Sequence, residues 1–387
     1  MKKKYKLQSV LGCIAGLVIA IVWFFFLEDR ANEFYEKYIT EDAVIIFAII
    51  LFTLAICFFT CRLTYELGHL IFGLISNYRF NSFVLFGLKL KTLDYNLKLE
   101  SSYTLKGVID SIISNIGVSF TLGRGPIIAC SMLPPDSFSA GQYPFVLYLI
   151  GGFIANFTQI LIAAVLYIWL PKGHYQNLIF ASFTAIASFF TVVYAIEDVN
   201  KIKILKSSEY ERQDYKAYLI GLAFISSGGL YENIPPDLHY PPRDYNGFFS
   251  VAPAISHSNY LIAKGDYKAA KELDQLMLEK GTKYNKYMKD SLKMDLLYWE
   301  LIGECRKEII DMHYTKELQR VIKLRTDKLS ALRVRYAYER IISKDEAMAK
   351  YILAQFNDVL KNYPYPGDEM VERRLISEVD SVVDSLV

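Results

Sequence analysis

Long apolar runs closed by basic residues constrain this chain more than any other feature. Residues 8 to 27 carry almost no charge and are long enough, as a helix, to cross about 30 Å of hydrocarbon. Lys2, Lys3, Lys4 and Lys6 precede the run and place the N-terminus in the cytoplasm by the positive-inside rule. An acidic stretch from Glu28-Asp29 to Glu41-Asp42 follows, with no small-residue cleavage site, so the run reads as a retained anchor rather than a signal peptide. A second run covers residues 43 to 61 and continues through Arg62 to Ile75. The third extends from Phe145 to Leu170 and the fourth from Asn177 to Ile196, separated by the turn Pro171-Lys172-Gly173-His174. Four crossings return the chain to the cytoplasm, where Lys201, Lys203 and Lys206 follow the last run. The pattern predicts an α-helical, multi-pass cell-membrane protein with both termini cytoplasmic.

Two segments between the spans break this pattern. From Arg79 to Lys91 apolar and polar residues alternate in places, which predicts strands, and Asp94 to Leu99 is the expected returning strand of a hairpin. Residues 108 to 135 are apolar but interrupted by Gly117, Gly123, Gly125, Pro126 and Pro134-Pro135. Such a segment suits a re-entrant or membrane-surface position, where other parts of the protein cover its backbone.

The second half has a different composition. The whole chain is 53% hydrophobic and 22% charged, but the apolar excess lies in the first half. The expected division is a membrane domain over 1–205, a proline-marked linker over 206–253 and a cytosolic helical domain over 254–387. In that last part Tyr260, Tyr298 and Tyr338 recur at a spacing near that of tetratricopeptide helical hairpins, with an ordinary helical bundle as the alternative. A net charge of +2 gives no basis for nucleic acid as a partner. Cys13, Cys57, Cys61, Cys130 and Cys305 form no CxxC pair, and those in apolar segments read as small hydrophobes.

Chemistry concentrates near the cytoplasmic end of the second run, at Tyr65-Glu66-Leu67-Gly68-His69. Glu66 and His69 share one helix face, with Tyr65 four residues before His69. Ionisable groups in a membrane helix are costly, so they serve a site or pair with each other.

Glu66-Leu67-Gly68-His69 resembles the HExGH helix of the site-2 protease family of intramembrane zinc metalloproteases. Gly151-Gly152-Phe153-Ile154-Ala155-Asn156 resembles the family's GxxxN element, and Glu197-Asp198-Val199 its Asn-Asp-Gly. The resemblance implies Glu66 as general base, His69 and Asp198 as zinc ligands, and Gly152 and Asn156 as residues that position substrate. Tyr65 stands where the family has its first zinc histidine, while Glu197 and Val199 replace the family's Asn and Gly. With one ligand missing, the resemblance implies a degenerate homologue that binds a membrane-associated peptide or transmembrane segment. Two alternatives stay open: an active protease with an altered zinc shell, and a membrane scaffold that recruits a cytosolic protein through its C-terminal helices.

Overall fold

The computed structural model describes residues 43–86, 88–92, 116–120, 128–134, 144–169, 174–226, 228–361, 363 and 365–385. The expected first span (8–27), the strand at Asp94–Leu99, the turn over 171–173 and most of the segment 108–135 lie outside them. The described residues hold twelve α-helices and four strands. They divide into two compact units, one of the described residues within 43–91 and 128–207, the other of Thr92, 116–120 and the described residues from Ser208 on.

The first unit is built on three helices, α1 (Ala43–Ile75), α2 (Pro144–Trp169) and α3 (His174–Ser207). Within them Leu51–Ile75, Pro144–Trp169 and Ser182–Ser207 are each long and apolar enough to cross a membrane. Phe52, Ile71, Ile75, Ile168 and Trp169 point away from the bundle, an outward apolar surface that lipid would cover. The expected third and fourth runs thus correspond to α2 and α3, with α3 continuing as one helix through Asp198 and Lys201 to Ser207.

The helices approach closely because glycines face each other. A Cβ on Gly68 of α1 would collide with the Gly151 carbonyl oxygen of α2 and lie 2.7 Å from the Ala155 Cβ. One on Gly151 would lie 2.6 Å from the Phe72 Cβ. Small residues let backbones meet in this way where no hydrophobic force separates helix from lipid.

Helix α1 ends in a left-handed cap. Asn77 adopts φ 62°, Tyr78 N–H donates to Gly73 O at 2.9 Å, and Asn77 N–H donates to Leu74 O at 3.1 Å. The cap satisfies two terminal carbonyls and delivers the chain directly into β1 (Arg79–Leu85). Strand β1 pairs antiparallel with β2 (Leu88–Thr92), Phe83 opposite Leu90, and with β4 (Ile128–Leu133), Phe83 opposite Cys130. A further strand, β3, covers Ile116–Phe120. The hairpin therefore returns at Leu88, earlier than the expected Asp94, because the chain reverses after Phe86, which adopts φ 48°. A register shift between Phe80 and Ser82 leaves Asn81 as the extra residue, and its amide donates to Ser131 Oγ at 2.9 Å. β4 stands at one end of the strand order and packs along α1.

From Ser208 on the second unit is helical: α4 (Glu209–Ser226), α5 (Val251–Lys264), α6 (Tyr267–Lys280), α7 (Lys286–Ile302), α8 (Lys307–His313), α9 (Lys316–Leu324), α10 (Leu329–Tyr338), α11 (Glu346–Leu360) and α12 (Pro366–Ser385). Leu297, Tyr298, Leu332, Ile352, Phe356 and Leu375 centre its core. Of the stretch 206–253, expected as a linker, Lys206 and Ser207 end α3 and the rest is folded into this unit. Ala217 and Ile225 of α4, with Tyr231, Ile234 and Leu238 beyond it, join the same core. The prolines there form packed turns such as the 3₁₀ helix Pro236–Leu238, and the Glu211 carboxylate accepts from Phe248 N at 2.7 Å and Phe249 N at 2.9 Å. Tyr260 and Tyr298 each stand one turn before the end of a helix followed by glycine, at Gly265 and Gly303. Tyr338 precedes a π-turn, Glu339–Ser343, that ends at Lys344 with φ 52°.

Candidate functional site

The α-helical period sets Arg62, Tyr65, Glu66 and His69 on one face of α1, turned towards α2, α3 and β4. Glu66 and His69 are buried, as are Asn156 of α2 and Asp198 of α3, each only 1% exposed. The structure brings Tyr65, Glu66, His69, Gly152 and Asp198 into one cluster, and the contacts assign each a place.

His69 Nδ1 lies 2.8 Å from the Tyr148 carbonyl oxygen. A carbonyl only accepts, so Nδ1 donates to it and Nε2 is the ring nitrogen left for another partner. That Nε2 faces Asp198 Oδ2 at 3.7 Å. Tyr65 OH donates to the same Asp198 oxygen, and its ring meets the His69 ring edge-on at 4.4 Å. Tyr194 tilts against the other side of Tyr65, centroids 4.7 Å apart. Gly152 is the floor of this arrangement, because a Cβ there would run into the Tyr65 ring and lie 3.0 Å from His69 Nε2. Its absent side chain leaves room for the two rings, which is a packing role. Asn156 follows one turn later on α2, and neither its amide nitrogen nor its oxygen has a hydrogen-bond partner among the described residues.

Glu66 is occupied elsewhere. One carboxylate oxygen pairs with Arg62 one turn earlier, and the other accepts from Cys130 N of β4 at 2.8 Å. Arg62 Nε donates to Ile128 O at 3.3 Å, and its guanidinium lies 5.6 Å from the Tyr194 ring centre. On α3, Lys201 Nζ lies 2.8 Å from Glu197 Oε1 and 3.5 Å from Asp198 Oδ1.

The residues of the family's zinc centre can now be tested for fit. Catalytic zinc takes three protein ligands and a water. His69 Nε2 and Asp198 Oδ2 face each other across a gap that one ion would span. A third donor is missing, because the Tyr65 hydroxyl closes onto Asp198 and both Glu66 oxygens are engaged. Among the described residues no group of three or more His, Cys, Asp or Glu is placed to hold a metal ion. The cluster does not fit a catalytic zinc. A water-activating role for Glu66 would require it to release Arg62 and the β4 backbone.

Sequence reasoning did not single out Arg62, Tyr194 or Lys201 for the site, nor the Tyr148 carbonyl and the Cys130 amide. Lys201 read as flanking charge and Arg62 as a residue within the second run, and backbone groups leave no signature in a sequence. No protein-family model, curated protein or solved structure matches this chain.

Proposed function

We propose that the chain is a multi-pass membrane protein whose membrane unit is a degenerate site-2-protease-type core. It binds a membrane-associated peptide or transmembrane segment without metal-dependent cleavage. The observation that carries this reading is the Tyr65 hydroxyl on Asp198, with His69 beside it. The residues of three separate resemblances meet in one buried cluster, and a phenol stands at the position of the missing ligand. The Asn156 amide adds support, since a buried amide whose polar atoms have no partner among the described residues suits the backbone of a bound peptide. In this reading the chain crosses the membrane four times with both termini in the cytoplasm. The C-terminal helices form tetratricopeptide-like hairpins that receive a cytosolic partner.

The test uses the full chain in vesicles with a labelled hydrophobic transmembrane peptide of about twenty residues. A photo-crosslinker at Phe153 should capture the peptide, Asn156→Leu should weaken capture, and the peptide should stay intact. Chelator-sensitive cleavage that disappears in Glu66→Gln would make the chain an active protease instead. Loss of cellular function on deleting residues 254–387, with Glu66, His69 and Asp198 all tolerant of alanine, would favour the scaffold.

A further inference from the structure

The polar cluster contains two buried carboxylates, Glu66 and Asp198, at 4% and 1% exposure. In an apolar interior such charges need compensation, and a bound cation is one common source of it. Here each already has a fixed cation of its own chain within one helical turn. Arg62 pairs with Glu66, and Lys201 lies 3.5 Å from Asp198. Lys201 also reaches Glu197, but that carboxylate is 67% exposed and is served by solvent. Each buried carboxylate thus has a cation of the chain itself beside it.

We infer that Arg62 and Lys201 supply the positive charge that a metal ion would bring, and that Lys201 in particular holds metal out of this core. A divalent ion between His69 Nε2 and Asp198 Oδ2 would share the Asp198 carboxylate with the Lys201 ammonium, which lies 3.5 Å from Oδ1, and like charges on one carboxylate repel. The missing histidine is then half of the change that separates this core from a zinc site, and the lysine is the other half. The inference rests on the degenerate-protease reading for which ion is absent; the ion pairs themselves do not depend on it.

The test measures zinc affinity of the full chain in detergent, by competition with a fluorescent zinc chelator. Four versions are compared: wild type, Tyr65→His, Tyr65→His/Lys201→Gln and Tyr65→His/Lys201→Arg. Wild type should show no stoichiometric zinc. Tyr65→His should bind it, Lys201→Gln should tighten that binding about tenfold or more, and Lys201→Arg should leave it unchanged, because only charge is at issue. If Lys201→Gln fails to fold, Tyr65→His/Arg62→Gln asks the same question of the other cation. Affinity that changes by less than about twofold in the charge-removing variants would overturn the inference while leaving the non-cleaving reading intact. Near-stoichiometric, chelatable zinc in the wild type would overturn both.

Discussion

The two units bury charge in opposite ways. In the first, partners come from the same helix: Arg62 with Glu66 four residues on, Asp198 with Lys201 three residues on. In the second, Arg333 of α10 meets Asp295 of α7 and Glu372 of α12, with Glu372 Oε1 3.3 Å from its guanidinium. Asp274 of α6 lies nearby, accepting from Ser258 Oγ and Trp299 Nε1, each at 3.0 Å. A helix that enters lipid before meeting its neighbours benefits from carrying its counter-charge along, since a lone charge there is expensive. A helix that folds in water can leave its partners on distant segments, because solvent serves every charge until the core closes. The contrast also extends to arithmetic. In the first unit Glu66 and Asp198 each have a cation of their own, whereas in the second Asp295 and Glu372 share one arginine.

The largest effect expected from this contrast is at Arg333. Arg333→Met strands Asp295 and Glu372 and should cost about 3–5 kcal/mol in a urea or thermal melt. A loss below about 1 kcal/mol would mean that the distant pairing is dispensable. Next comes Gly68→Ala, which adds only a methyl but aims it at the Gly151 backbone. It should destabilise the first unit by about 1–3 kcal/mol in detergent. Gly221→Ala, with nothing nearer than 4.0 Å around its added Cβ, is the matched control in the second unit.

The surplus of carboxylates makes the second unit sensitive to pH. Burial pushes Asp274 up to about 7, helped by repulsion from Asp295, and pushes Glu372 up to about 7 against the pull of Arg333. Both groups hold protons more tightly when folded, so their contribution is complete below the ordinary carboxylate range and is lost as pH rises through about 7. The melting temperature of this unit should therefore fall between about pH 5 and pH 8, and Asp274→Asn should flatten the decline. A melting temperature that rises across that window would contradict the assignment. Glu300 works in the other direction, held down to about 2 by the Arg306 guanidinium, and supports the fold until strong acid protonates it. The smallest effect is at a helix start. Asp345 accepts from Met348 N at 2.9 Å as the N-cap of α11, and Asp345→Ala should cost about 1 kcal/mol.

The apolar helices were legible because hydrophobic length survives in any reading of a sequence. Tyr65, Glu66 and His69 also stood out, as polar side chains within such a run, whereas Asp198 lies beyond the fourth run and was pointed to only by the resemblance at Glu197-Asp198-Val199. The linker expectation failed at 206–253, where prolines suggested a spacer although Tyr215, Ala217 and Ile225 already marked a buried helix face. The hairpin turn after Phe86 went unread because a phenylalanine is an unusual residue at positive φ; its ring stacks on Phe59 at 4.8 Å. Lys201 was visible but assigned to the membrane boundary, and only the fold reveals that its ammonium also lies 3.5 Å from Asp198.

Arg62 and Glu66 also have a consequence for the sheet. By taking Ile128 O and Cys130 N, they give the outer side of β4 the hydrogen bonds that another strand would otherwise provide. Helix α1 is thus a substitute neighbour, and the sheet ends there by being finished rather than by being left bare. A proteolytic fragment that keeps residues 79–133 but loses α1 would present that side of β4 unmet. Such fragments should associate with one another, strand against strand, where the intact chain stays dispersed.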